Sequence, residues 1–162
     1  MWETKTVTYR GGVVVFDLPA RWVEEYEPSG GGTFYEDTPQ SGTLRLSVLG
    51  FQIAQHQTLS EQVALIMERD GFEPLQEGLG IRRAEKSVVE DGVPLVLYRW
   101  EILIPIEAAE FSIAAFTHTV LGSQVDSDLT RRELGFIDAS VRRARFNQSN
   151  DYYLGDYPPT DG

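Results

Sequence analysis

Apolar and polar residues alternate with a period near two through most of the first fifty positions. Thr6 to Tyr9 and Val13 to Phe16 are rich in β-branched and aromatic residues and are separated by Gly11-Gly12, which predicts two short strands joined by a turn. Leu18-Pro19 ends the second strand, because proline has no N–H to give to a sheet ladder. Trp22, Val23 and Tyr26 begin another extended piece, and Pro28-Ser29-Gly30-Gly31-Gly32 reads as a loop and hairpin tip. Thr33-Phe34-Tyr35 resumes the sheet. After a turn over Thr38 to Gly42, the segment Thr43 to Phe51 places Leu44, Leu46 and Val48 on one face. The pattern is that of an antiparallel meander.

The period changes at Thr58. Thr58-Leu59-Ser60-Glu61 has the spacing of a capping box, in which threonine and glutamate satisfy orphan backbone donors. Leu59, Val63, Ile66 and Met67 then recur at helical spacing, and Gly71 is placed to end the helix. Long strands are expected between Ile81 and Leu121, the first hairpin closing on Asp91-Gly92. In the central one, Val96, Tyr98, Trp100, Ile102 and Ile104 share a face, with Leu95, Leu97 and Leu103 on the other; both faces are therefore at least partly covered. A second helix is expected over roughly Ser127 to Ser140, with Thr130–Glu133, Asp126 or Ser127 as its cap and Leu134, Ile137 and Val141 as its apolar stripe. A short strand follows within Val141 to Phe146. Strands and helices segregated in this way indicate an α+β fold with an antiparallel sheet. Residues 1–146 are read as one domain and 147–162 as a disordered or loosely docked acidic tail carrying Tyr152, Tyr153 and Tyr157.

Composition narrows the function. The chain of 162 residues has no cysteine, which excludes disulfide scaffolds, thiolate zinc sites and cysteine nucleophiles. Its charge is −11, from 25 acids and 14 bases, and such a chain repels nucleic acid and anionic lipid. Arg131, Arg132, Arg142, Arg143 and Arg145 are interrupted by Glu133 and Asp138 and read as a solvated helix face and strand end, so no nucleic-acid partner is expected. No stretch approaches the roughly 18 apolar residues of a membrane span. Met1-Trp2-Glu3-Thr4-Lys5 has no leader character, from which a cytoplasmic location is expected.

Catalytic candidates are few. His118 lies between threonines in a strand and is read as a half-buried structural residue, and His56 as an exposed loop residue. Two distant histidines make no metal site, and no nucleophile elbow is present. No catalytic residue, metal or cofactor is assigned. The most informative group is acidic: Glu24, Glu25 and Glu27 precede the glycine loop, and Glu36 and Asp37 follow it. Paired across that loop, these carboxylates form either a charged sheet edge that resists aggregation or a contact surface for a basic or mixed-charge protein. The regular ligand spacing of a calcium loop is missing. Tyr152 and Tyr153 are the second candidate contact, or belong to an inert terminus.

One resemblance is present. Phe16-Asp17-Leu18-Pro19 followed by Trp22, the hairpin at Asp91-Gly92, and Asp138-Ala139-Ser140-Val141 near the end resemble the short motifs of PsbP-like proteins, over about residues 4–146. The resemblance implies a central antiparallel sheet flanked by helices, an α/β/α sandwich shared with the Ran-binding Mog protein. It also implies a binding or assembly role, as in a photosystem subunit, a nuclear-transport regulator and the bacterial adaptor chaperones of type VI secretion. The cytoplasmic expectation points to the last branch. The function expected is a non-catalytic protein-binding domain: an adaptor, chaperone or immunity-type inhibitor. Two alternatives stand beside it. One is a carrier of a small or lipid-like ligand with a cleft lined by Trp100 and Phe116; the other is a small hydrolase using His118 with a distant carboxylate such as Glu101.

Overall fold

The computed structural model describes residues 2–53, 58–106 and 110–149. The first two predicted strands are β1 (Thr4–Tyr9) and β2 (Val14–Pro19), an antiparallel hairpin around a 3-10 turn at Arg10–Gly12. The two-residue β10 (Arg145–Phe146) joins β2 on its other side, giving a three-stranded sheet in the order β1-β2-β10. The chain is still helical over residues 141–143, so the predicted last strand is shorter than expected and starts later.

The remaining strands are β3 (Val23–Tyr26), β4 (Gly32–Tyr35), β5 (Thr43–Gln52), β6 (Glu73–Pro74), β7 (Gly80–Glu90), β8 (Val93–Ile106) and β9 (Glu110–Leu121). They form a seven-stranded antiparallel sheet in the order β3-β4-β5-β9-β8-β7-β6. β7 and β8 meet at Asp91 and Gly92, with φ of 52° and 78°. Two adjacent positive φ values match the twist of the flanking strands, which is why Asp-Gly selects this turn.

Helix α1 (Leu59–Asp70) starts as its sequence predicts: the Glu61 N–H donates to Thr58 Oγ1 at 3.2 Å, and Gly71 ends the helix in the left-handed conformation. In α2 (Asp128–Arg143) the cap is Ser127, whose Oγ accepts from the Thr130 N–H at 3.1 Å. Thr130 and Glu133 are buried instead of capping.

Strand periodicity sorts the core. Trp100, Ile102 and Ile104 of β8 and Ala114, Phe116 and Val120 of β9 face the small sheet and α2, which contributes Ile137 and Val141. Phe16 meets the rings of Phe34 and Phe116 edge-on, with centroids 5.5 and 5.4 Å away. Each such side chain removed from water contributes about 1.5–3 kcal/mol. On the opposite face, α1 lays Val63 and Ile66 against Leu103 and Phe111. Beyond α1 that face leaves Arg45, Ser47 and Arg99 exposed. The antiparallel α+β architecture is as expected. The layering is not a plain α/β/α sandwich, because a second sheet shares one face of the large sheet with α2.

Candidate functional site

Strand β3 is one edge of the large sheet, and it pairs with β4 in the register Val23↔Tyr35, Glu24↔Phe34, Glu25↔Thr33. The predicted pairing across the glycine loop therefore forms. Because side chains alternate across a strand, it also divides the expected acidic cluster by parity. Glu24 lies on the core side, where Lys5 Nζ stands 2.8 Å from Glu24 Oε2 and the Tyr26 hydroxyl donates to Glu24 Oε1. Burial works to raise the Glu24 pKa, but these two donors outweigh it and hold the carboxyl below its ordinary range. The Tyr26 phenol is pushed well up by burial and by its bond to Glu24. Glu36 is neutralised by Arg21 at 2.6 Å.

Glu25, Glu27 and Asp37 have the other parity. Tyr35 stands beside Glu25 and Asp37 and donates its hydroxyl to Glu25 Oε2 at 3.0 Å. That bond, slight desolvation and the charges of Glu25 and Asp37 all raise the Tyr35 pKa. No ion pair joins Glu25, Glu27 or Asp37 to a cation among the described residues. The shared acidic face is thus smaller than expected: two of its five candidates, Glu24 and Glu36, are spent on Lys5 and Arg21. Tyr152 and Tyr153, like His56, lie outside the described residues.

The glycine loop is anchored rather than a loose tip. Tyr9, 1 % exposed, accepts from the Gly31 N–H at 2.8 Å. The Gly30 N–H donates to the Glu27 carbonyl at 2.9 Å, and the Glu27 N–H to the Gly31 carbonyl at 3.0 Å. The donors of Gly30 and Gly31 are consumed inside the fold, which removes the physical basis for an anion cradle there.

His118 is fully buried, not half-buried, and it has a partner that the sequence did not show. Its Nε2 lies 3.2 Å from Glu133 Oε1, and both side chains are 0 % exposed. Glu133 also accepts from the Gly42 N–H at 3.2 Å and from Ser41 Oγ at 2.9 Å. The Trp22 ring stacks on the imidazole with an interplanar angle of 9°. His118 Nδ1 is buried without a hydrogen-bond partner among the described residues. Serine, histidine and glutamate are all present, but the hydroxyl bonds the carboxylate and not the imidazole, so the three do not form a serine–histidine–acid relay. The cluster ties the loop before β5, the strand β9 and the helix α2 together.

Two further expectations are corrected. Trp100 and Phe116 are each 0 % exposed and belong to the core, so they line no cleft. Glu101 is not beside His118: it pairs with Arg82 at 2.6 Å and Arg99 at 3.5 Å, and the β8–β9 register puts the two residues on opposite faces of the sheet. Among the described residues no group of His, Asp and Glu side chains is arranged to hold a metal ion, and no helix is long and apolar enough to cross a membrane.

Glu133 is the residue that pattern reading missed. A signal was present: Thr130, Glu133, Ile137, Ser140 and Val141 fall on one face at helical spacing, and all five are buried. A carboxylate within that stripe must meet a polar group inside.

No protein-family model and no curated protein matches this sequence. Solved structures do. LpqN of Mycobacterium tuberculosis, involved in cell envelope biogenesis, has 10% identity and a TM-score of 0.59, over 90% of this chain and 91% of LpqN. A protein of Bacteroides thetaiotaomicron VPI-5482 has 14% identity and a TM-score of 0.57 over 88% of this chain, which spans only 48% of that protein. Likeness at these identities is one of fold. Cyanobacterial PsbP from Synechocystis sp. PCC 6803 overlays with 12% identity and a TM-score of 0.38 over 91% of this chain and 94% of that one, which is too loose to carry an argument.

Proposed function

We propose that this domain is a non-catalytic protein-binding module, and that the outer side of the β3–β4 hairpin is the surface it offers to a basic or mixed-charge partner. The observation that carries the reading is the parity division. Glu25, Glu27 and Asp37 stay outward, Tyr35 beside Glu25 and Asp37, and no cation among the described residues pairs with them, while Glu24 and Glu36 are neutralised from the inner side. Carboxylates left unpaired at a sheet edge steer a complementary surface and fix its register. Tyrosine supplies contact area at low entropic cost. The sealed Ser41–His118–Glu133 cluster supports the non-catalytic half of the reading, since its histidine and glutamate offer no surface to a substrate.

Within this reading the chain is a cytoplasmic adaptor, chaperone or immunity-type inhibitor. The type VI secretion branch rests on the short motifs at Phe16–Trp22, Asp91-Gly92 and Asp138–Val141 together with the expected cytoplasmic location. The test is affinity capture from the native host at low salt, comparing the natural chain with the triple variant Glu25→Lys, Glu27→Lys, Asp37→Lys. A stoichiometric protein partner that elutes as salt rises, and is lost in the variant, is the expected result. Equal capture by the two chains at low salt overturns it.

A further inference from the structure

We propose that a cleft between the start of β1 and the outer face of α2 binds a small aromatic carboxylate. The cleft encloses about 480 Å³ and is lined by Trp2, Thr4, Arg132, Gly135, Phe136 and Arg143. Trp2 and Phe136 form its wall, with ring centroids 5.7 Å apart, and the Arg132 guanidinium lies 5.6 Å from the Trp2 ring centre. Gly135 is the opening in the helix surface: a Cβ built there would meet no atom within 4 Å. Packing within this chain therefore does not require glycine at a mid-helix position, where glycine is an unfavourable residue. Its effect is to keep the space beside the two rings empty.

Charge selects the ligand. Among the described residues no carboxylate lines the cleft and neither Arg132 nor Arg143 forms an ion pair, although neighbouring Arg131 and Arg142 are paired with Asp128 and Asp138. In a chain of net charge −11, two uncompensated guanidiniums beside an aromatic wall favour an anion with an apolar body. A ring packs on Trp2 and Phe136, and the carboxylate takes paired N–H donors from an arginine fork at the rim. The site shares no residue with the acidic hairpin face, so its failure leaves that reading untouched.

The test is calorimetric titration of the full chain with 1-naphthoate and with the neutral 1-naphthylmethanol. The acid is expected to saturate one site and the alcohol to bind roughly tenfold more weakly, the factor set by a charged hydrogen bond. Gly135→Leu fills the cleft with a better helix former, so it abolishes binding without lowering the melting temperature. Arg143→Gln, a surface change, weakens the acid and not the alcohol. The proposal is overturned if naphthoate shows no saturable binding in the millimolar range. It is equally overturned if acid and alcohol bind alike, or if the folded Gly135→Leu chain keeps its affinity.

Discussion

Ser140 occupies both backbone polar groups of Asp17: its Oγ accepts from the Asp17 N–H at 3.2 Å and donates to the Asp17 carbonyl at 2.5 Å. Asp17 lies in β2 beyond Val14 and Val15, the two residues that β10 covers. A side chain from α2 thus stands in for a missing strand and fixes the helix over the small sheet. Ser140→Ala leaves the half-buried N–H and carbonyl of Asp17 without these partners, which costs about 1 kcal/mol. Urea unfolding should show a lower midpoint with an unchanged slope.

The His118–Glu133 pair makes a sharper demand. Replacing Glu133 by Leu strands the imidazole and the Gly42 N–H in the interior and takes one acceptor from the half-buried Ser41 hydroxyl, and each buried donor left unpaired costs about 1–3 kcal/mol. Unfolding measurements should register that loss in full. Partner capture by the molecules that remain folded should be unchanged, because the pair acts on stability and not on the hairpin surface.

Gly42 is held by the same cluster. A Cβ there would lie 2.4 Å from His118 Nε2 and 3.0 Å from the Thr119 carbonyl, and His118 cannot retreat from under Trp22. Gly42→Ala is expected to destabilise by about 1–3 kcal/mol through overpacking. Thermal melts should show the fall. A variant as stable as the natural chain would mean that the loop before β5 is not fixed by this contact.

Stability should also fall in acid. Asp138 accepts from Trp100 Nε1 and from Arg142 Nε, each at 3.0 Å. Burial alone would raise its pKa, but these donors, with the charges of Arg142 and Arg83, hold it below the ordinary 3.8. Glu24 is held below 4.5 in the same manner by Lys5 and Tyr26. A carboxyl whose folded pKa is depressed binds fewer protons in the folded state, so its stabilisation is complete above the unfolded value and is lost as pH falls through the folded one. Unfolding midpoints should therefore drop below about pH 4.5. The double variant Asp138→Asn, Glu24→Gln should show a flatter dependence on pH.

Local chemistry carried most of the fold. Thr58, Gly71 and the Asp91-Gly92 turn act within a few residues of themselves, so their sequence determines their structure. The alternation in β8 likewise shows which side chains share a face. Parity even foretells that Glu24 and Glu36 part from Glu25, Glu27 and Asp37, but the cations Lys5 and Arg21 that claim the first two come from elsewhere in the chain. Glu133, whose spacing from Thr130 suggested a cap, was illegible as a buried partner for a similar reason: the Gly42 N–H that it accepts from is 91 positions away. The segments Phe16–Trp22 and Asp138–Val141, which suggested a family by their letters, meet at Asp17 and Ser140.

That contact also sets when the molecule can be finished. Ser140 reaches Asp17 across 123 positions of sequence, and β10 closes the small sheet only after α2 has been made. During synthesis the hairpin of β1 and β2 lacks its contact with α2 and its third strand until nearly all the described chain has left the ribosome. A message broken before the codon for Ile137 would release a chain whose core lacks its cover, a substrate for chaperones and proteases rather than a smaller working protein. The timing of completion is thus written into the distance between two residues that touch.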